Sequence, residues 1–197
     1  MFRNPARRIE RKRVLAIGAL MICCAGHAGR SVADDGGNKT PQAPAVSSAN
    51  NAAPIYGITI PGGYRDWKLI SVSRLEGKLN QLRAQFGNDI ALKAMKEGTV
   101  PFPDGSIIAA AHWSNEASGA NNEVLTLLGS SSFVPGAPVN VQFMVKDSKK
   151  YASTGGWGFA DFKDGKPGDE ALHNTCFACH QPAKAHDYVF THYAPAP

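Results

Sequence analysis

Hydrophobic and polar residues alternate along two stretches in the second half of the chain. In residues 139–145, Val or Phe occupies every second position, and the positions between them are mostly polar. In residues 157–162 the same alternation places an aromatic residue on both faces. Side chains that alternate with a period of two line opposite faces of a β-strand. Both stretches are therefore predicted to be strands.

Three earlier stretches have weaker patterns. Residues 67–75 and 106–113 are rich in β-branched or apolar side chains and are also predicted strands. Residues 78–86 fit a strand and a helix about equally well. Residues 114–122 are polar and are predicted to be a loop.

Two helices are predicted. Residues 89–97 have apolar side chains at helical spacing, with Asn88 placed to cap the start and Gly98 placed to end the helix. A second helix begins at residues 169–172, near the C-terminus. Because Gly and Pro separate nearly all of these elements, we expect an α+β fold, mainly an antiparallel β-sheet with one or two helices.

The N-terminal part differs in composition from the rest. Residues 1–33 start with many Arg residues, continue with an apolar segment too short to span a bilayer, and end in small residues. This is typical of a secretory signal peptide and predicts Sec export to a periplasm, with no membrane span after its removal. Residues 34–54 are polar and rich in Pro, and predict a disordered linker. Residues 55–197 are expected to form one domain.

Removal of residues 1–33 would change the charge and the cysteine count. The chain has a net charge of +5, but this segment holds seven of the 21 Lys and Arg residues and one of the 16 Asp and Glu residues. The remainder is nearly neutral, which argues against nucleic acid as a partner. Cys23 and Cys24 also lie in this segment, so the remaining cysteines are Cys176 and Cys179.

These two cysteines belong to the sequence Cys176-Phe177-Ala178-Cys179-His180. A C-x-x-C-H sequence is the attachment signature of a c-type haem. Thiols three positions apart lie on one face of a helical turn, where both can form thioethers with one edge of a haem. The adjacent His is then placed as the proximal ligand of the iron. We predict one covalent haem c on the C-terminal helix, held by Cys176, Cys179 and His180.

Two other interpretations of the cysteine pair are weaker. A redox-active dithiol usually follows the first strand of a βαβ unit, and no such pattern surrounds Cys176 and Cys179. A structural zinc site needs four ligands, and no second Cys pair exists after residue 33. The haem interpretation is therefore preferred.

The position of the motif bears on the sixth coordination site of the iron. No Met follows His180, and Met95 and Met144 fit better as core or strand residues. A haem without an obvious sixth protein ligand binds small molecules or performs chemistry, rather than only transferring electrons.

Five segments of the chain resemble the cytochrome P-460 and cytochrome c-prime-beta family, and the resemblance covers about residues 64–195. It rests on Tyr64-Arg65-Asp66-Trp67, Phe102-Pro103-Asp104-Gly105-Ser106, Val145-Lys146-Asp147-Ser148-Lys149-Lys150-Tyr151, Gly156-Trp157-Gly158-Phe159 and the run from Cys176 to Thr191. The resemblance implies a mainly antiparallel periplasmic monohaem cytochrome, commonly a homodimer. It also implies either hydroxylamine and nitric oxide chemistry or the binding of small gases.

The same resemblance suggests which residues surround the distal side of the haem. In the hydroxylamine-oxidising branch a Lys is bonded to the haem, and counting from Asp104-Gly105 places Ala110 there. A distal carboxylate of that branch corresponds to Gln142, and a pocket Arg corresponds to Arg83. Ala cannot form the cross-link, and an amide is not a base at neutral pH. We therefore expect an apolar distal side with one amide, as suits nitric oxide or carbon monoxide.

His112 shares a strand face with Ala110 and is expected to border the same pocket. It is a candidate distal hydrogen-bonding group or sixth ligand; the alternative is a hydrogen-bonded His at the sheet edge. His173, His186 and His192 flank the motif and are expected to be solvent-facing or supporting residues.

The sequence thus predicts a haem protein that binds or detoxifies a small nitrogen-oxide ligand, such as nitric oxide, at an open distal site. The alternatives are a hydroxylamine or nitric oxide oxidoreductase, and a simple electron-transfer cytochrome. A four-helix cytochrome c-prime also carries its haem motif near the C-terminus, but the alternating strands argue against it. The expected partners are the small ligand, a redox partner protein and a second copy of the chain.

Overall fold

The computed structural model describes residues 51–195, so the predicted signal peptide and most of the predicted linker lie outside the described residues. Six strands form one antiparallel sheet in chain order. They are β1 (Lys68–Leu75), β2 (Gln81–Gly87), β3 (Ile107–Ala117), β4 (Phe133–Lys146), β5 (Trp157–Lys163) and β6 (Lys166–Pro167). The α-helices are α1 (Asp89–Glu97), α2 (Gly119–Leu125) and α3 (Glu170–His180). Short 3-10 turns lie at Tyr64–Asp66, Thr126–Leu128, Ala152–Thr154 and Gln181–His186.

The expected α+β fold with a mainly antiparallel sheet is confirmed. The two alternating stretches are parts of β4 and β5, and the ambiguous residues 78–86 contribute a strand, β2. The helix α1 also has its predicted ends, because the Asn88 side chain accepts a hydrogen bond from the Ala91 N–H and Gly98 adopts the left-handed conformation.

The prediction that residues 114–122 form a loop is wrong. Strand β3 continues to Ala117, and the helix α2 begins two residues later. The end of β3 pairs with the start of β4, with Ala117 opposite Phe133 and Glu116 opposite Val134. Backbone pairing with a distant segment therefore makes a strand of residues whose polar side chains indicated a loop.

The register of the central strands defines the two faces of the sheet. Gln85, Ala110, Gln142 and Asp161 are successive register partners across β2, β3, β4 and β5. Residues directly opposite each other in neighbouring strands point to the same face. The side chains of these four residues therefore form one row across one face of the sheet.

Aromatic and aliphatic side chains fill the core around the sheet. The largest fully buried ones include Trp157, Phe143, Phe162 and Ile70. Phe102 packs edge-to-face on Trp157, and Phe162 does the same on Phe143. This packing holds β4 and β5, two strands that line the cavity described below, against the core.

The turn that precedes β3 is hydrogen-bonded to the residues that follow β4. The Asp104 carboxylate accepts hydrogen bonds from the N–H and the hydroxyl of Ser148, each over 2.7 Å. These bonds lower the pKa of Asp104. Two of the segments that carry the family resemblance are thus in direct contact.

In the part of the chain that the structure describes, no helix has the length and apolar character needed to cross a bilayer.

Candidate haem-binding site

The helix α3 places the two cysteines and the histidine of the motif. It begins at Asp169, whose side chain accepts a hydrogen bond of 2.8 Å from the Leu172 N–H, and it ends at His180. Cys176 and Cys179 lie one turn apart in its second half and form no disulfide with each other. Helical geometry therefore gives the two thiols the spacing that a c-type haem requires.

The surroundings of the Cys176 thiol disfavour the reactive thiolate form. Its burial, followed by the negative charge of Asp161, raises the pKa of Cys176 to about 11. A thiol with so high a pKa is protonated at neutral pH, whereas reactive cysteines have a lowered pKa. The raised pKa of Cys176 therefore weighs against the dithiol interpretation.

The His180 imidazole has the arrangement of a metal ligand. Its Nδ1 lies 2.7 Å from the backbone carbonyl oxygen of Tyr188. An Nδ1–H that donates to a carbonyl leaves Nε2 unprotonated and fixes the ring orientation, as in many metal-bound histidines. Burial lowers the pKa of His180, which also favours the neutral form that metals bind. Phe159 and Phe190 pack against the ring at 4.9 and 5.3 Å between centroids.

A cavity of about 440 Å³ lies between α3 and the sheet. This volume is within the range of small-molecule and cofactor sites. All seven site residues proposed from the sequence line it: Arg83, Ala110, His112, Gln142, Cys176, Cys179 and His180. Apolar side chains, among them Leu75, Leu79, Ile108 and Phe159, form much of its remaining wall. The thiols, the free imidazole nitrogen and the apolar wall together fit a haem.

The expectation of an apolar distal side with a single amide is wrong. The sheet presents Arg83, Gln85, Asn140 and Asp161 to the cavity, in addition to His112 and Gln142. The family resemblance pointed to the position of Gln142 on β4 as the place of a distal carboxylate. The register pairs Gln142 with Asp161 of β5, so the neighbouring strand supplies the acidic group.

Asp161 is held in place by two amides. The Asn140 and Gln142 side chains both donate hydrogen bonds to its Oδ2, over 2.6 and 2.9 Å. Asp161 is buried, and its own N–H donates to Nε2 of His173 over 3.1 Å. The alternation of residues 157–162 already placed Asp161 on one face, but only the strand register shows that this face lines the cavity.

His112 borders the cavity, as its strand position predicted, but it is not at a sheet edge. It lies in β3, is buried, and its Nδ1 is 3.0 Å from Oε1 of Gln81. Its Nε2 is buried without a hydrogen-bond partner among the described residues. Burial, and then the positive charge of Arg83, lowers the pKa of His112 to about 4, while the Asp161 charge acts in the opposite direction. His112 is therefore neutral at physiological pH.

Of the other histidines, His173 is a supporting residue. It is fully buried, and its Nδ1 lies 2.7 Å from the Asp169 carbonyl oxygen, while Nε2 accepts the Asp161 N–H. It thereby fastens the first turn of α3 to β5. His186 and His192 are exposed and lie edge-to-face, 6.0 Å apart between ring centroids.

A comparison with protein-family models gives one match. The cytochrome P-460 model matches residues 61–191, which is more than half of the chain. The chain belongs to the cytochrome P-460 family. The matched range contains the sheet, the cavity and the C-x-x-C-H motif, and membership supports a haem protein of the cytochrome type. No match is found among curated proteins.

Proposed function

We propose that this cytochrome P-460 family member carries one haem c, bound covalently through Cys176 and Cys179 with His180 as proximal iron ligand. We further propose that it binds a small nitrogen-oxide ligand such as nitric oxide on the other side of the haem. When bound in the cavity, the haem would supply an iron centre for ligand binding and electron exchange. The protein supplies the ring orientation of His180 and the shape and polarity of the cavity.

The observation that carries this proposal is the shared cavity of α3 and the sheet. His180 is on one wall with its Nδ1 bonded to Tyr188, and the side chains of Gln142 and Asp161 are on another. The amides of Asn140 and Gln142 are engaged with Asp161, so they are held as fixed dipoles rather than as flexible ligands for the metal. An exogenous molecule would therefore not compete with these two amides for the iron.

Optical spectroscopy of the purified protein tests this function. We expect a high-spin haem in the oxidised and reduced forms and a new spectrum when nitric oxide is added. Intact mass should increase by one haem relative to the chain after signal removal. A low-spin six-coordinate spectrum in both oxidation states, with no response to nitric oxide, would refute a ligand-binding role.

A second candidate function is the oxidation of hydroxylamine. The specific observation in its favour is Asp161, a carboxylate in the cavity that can accept a proton from a bound N–H or O–H group. Steady-state turnover of hydroxylamine with an artificial electron acceptor tests this function. A rate no higher than that of free haem would dismiss it and leave ligand binding as the function.

The remaining proposals concern the cell and the partners. The composition of residues 1–33 supports export to the periplasm, where a c-type cytochrome would meet a redox partner protein. A homodimer is a further proposal, which size-exclusion chromatography with light scattering tests. Fractionation of cells that express residues 1–197 tests the location.

A further inference from the structure

The segment that follows α3 has an unusual backbone. Asp187 and Tyr188 both adopt the left-handed conformation, with φ of 52° and 65°. Residues with a Cβ rarely adopt this conformation, and two in succession carry strain that persists only where the surroundings hold it. This segment supplies the carbonyl oxygen of Tyr188 that lies 2.7 Å from Nδ1 of His180.

A buried ion pair holds this segment. Nζ of Lys146 lies 2.8 Å from each carboxylate oxygen of Asp187, and the two side chains are only 5% and 7% exposed. The Phe102 N–H donates a further hydrogen bond of 2.8 Å to Asp187, and Lys146 also donates to the Gly155 carbonyl over 3.1 Å. A buried charge pair is favourable only when such additional bonds complete it, as they do here.

The ion pair links the segment that follows α3 to the sheet. Lys146 is the last residue of β4, the strand that also carries Gln142 of the cavity wall. Lys146 and Asp187 are 41 residues apart in the sequence, and neither is among the residues that line the cavity. Asp187 directly precedes Tyr188, so the backbone of these two residues connects the ion pair to His180.

We propose that Lys146 and Asp187 are positioning residues that fix the Tyr188 carbonyl against His180 and so set the donor strength of the proximal imidazole. A full Nδ1–H to carbonyl hydrogen bond makes the imidazole a stronger donor at Nε2 and orients its ring. The ion pair holds Asp187 and Tyr188 in their left-handed conformation and thereby keeps the hydrogen bond between His180 and the Tyr188 carbonyl short. The inference rests on the proposed attachment of haem through His180.

Asp187→Asn in the holoprotein tests the inference, because it removes the charge with little change in shape. We expect a lower iron–histidine stretching frequency in the resonance Raman spectrum of the reduced protein, and a higher midpoint potential. Both follow from a weaker donor, which stabilises the oxidised iron less. Glu97→Gln is the matched control, since Glu97 forms an exposed ion pair with Lys93 on α1 and should change neither quantity.

The measurements separate positioning from support of the fold. A lower free energy of unfolding for Asp187→Asn with unchanged frequency and potential would overturn the inference. A wild-type protein that carries no haem would instead refute the proposed function. Should Asp187→Asn fail to fold, Lys146→Arg keeps the charge but moves it, and an unchanged frequency in that variant also overturns the inference.

A measurement on the unaltered protein completes the test. In NMR spectra of the holoprotein, we expect the Nδ1 proton of His180 to exchange slowly with solvent. The reason is its hydrogen bond to the Tyr188 carbonyl, which the ion pair holds in place. Rapid exchange of this proton would contradict the inference, whichever variants can be produced.

Discussion

Gln142 and Asp161 lie opposite each other on β4 and β5, and the Gln142 amide donates a hydrogen bond to the Asp161 carboxylate over 2.9 Å. The cavity thus contains a carboxylate next to Gln142, the position at which the sequence predicted that the distal carboxylate is replaced by an amide. A carboxylate fixed by two amide donors keeps a defined orientation toward the cavity. A carboxylate at this place is what the second candidate function, the oxidation of hydroxylamine, requires.

Asp161→Asn should separate ligand binding from hydroxylamine oxidation. The amide retains the size of the side chain but cannot accept a proton at neutral pH. If the wild-type protein oxidises hydroxylamine, we expect the rate to fall by about 100-fold or more, the usual contribution of a general base. The nitric oxide adduct should still form.

The matched control for this experiment is Asp164→Asn. Asp164 is an exposed residue of the turn between β5 and β6, so it shares the hairpin but not the cavity. It should retain the wild-type rate. An Asp161→Asn variant that turns over hydroxylamine as fast as this control would exclude Asp161 as the base.

The strands β4 and β5 were predicted from side chains that alternate with a period of two. Residues 139–145 and 157–162 alternate because one face of β4 and β5 packs in the core and the other carries residues that line the cavity, among them Gln142 and Asp161. The polar end of β3 lacks this apolar alternation, and its pairing with β4 depends on partners 16 or more residues away. Local composition does not contain that information.

The site shows the same division between local and distant information. The C-x-x-C-H motif is contiguous, so its spacing alone predicted the residues that meet on α3. Asp161 was missed because its role depends on the register between β4 and β5. Lys146 and Asp187 were missed because a buried ion pair between distant segments has no sequence pattern of its own.

The two cysteines should each contribute one covalent bond to the haem. Cys176→Ala or Cys179→Ala alone should leave a single thioether, and the double variant should lose covalent attachment while His180 remains. Mass spectrometry after denaturation measures this directly. Thr175→Ala, on the same turn of α3, is the control that should retain the haem. Haem mass that persists in the double variant would show attachment elsewhere.

Stability should depend on pH through His112. The pKa of this residue is lowered from 6.5 to about 4 in the folded protein, mainly by burial. Between these values the unfolded chain binds a proton that the folded chain does not, so the free energy of unfolding should decrease as pH falls from about 6.5 toward about 4. Below this range the slope due to His112 should vanish.

Denaturant unfolding of the holoprotein across this pH range measures the effect. His112→Gln should have a shallower slope than wild type, since it removes the proton-binding group from both states. His192→Gln, at an exposed position, is the control and should retain the wild-type slope. Arg83 and Asp161 are the charged groups that act on His112. The same slopes in all three proteins would assign the pH dependence to other residues.

Asn88 should stabilise the fold by more than an ordinary helix cap. Its Oδ1 accepts hydrogen bonds from the N–H groups of Ala91 and Ile107, over 3.0 and 3.1 Å, and its Nδ2 donates to the Gly105 carbonyl over 2.7 Å. It thus caps α1 and also joins the start of β3 to the preceding turn. Asn88→Ala should lower the free energy of unfolding by about 2 kcal/mol, from the cap and the two further bonds.

Two further substitutions define the cause of this loss. Asn88→Asp keeps the acceptor for α1 and loses only the bond to Gly105, so its effect should be smaller than that of Asn88→Ala. Asn121→Ala, at an exposed position in α2, should cost nothing, because Ala favours a helix. Equal losses for Asn88→Asp and Asn88→Ala would mean that the bond to Gly105, rather than the helix cap, carries the stability.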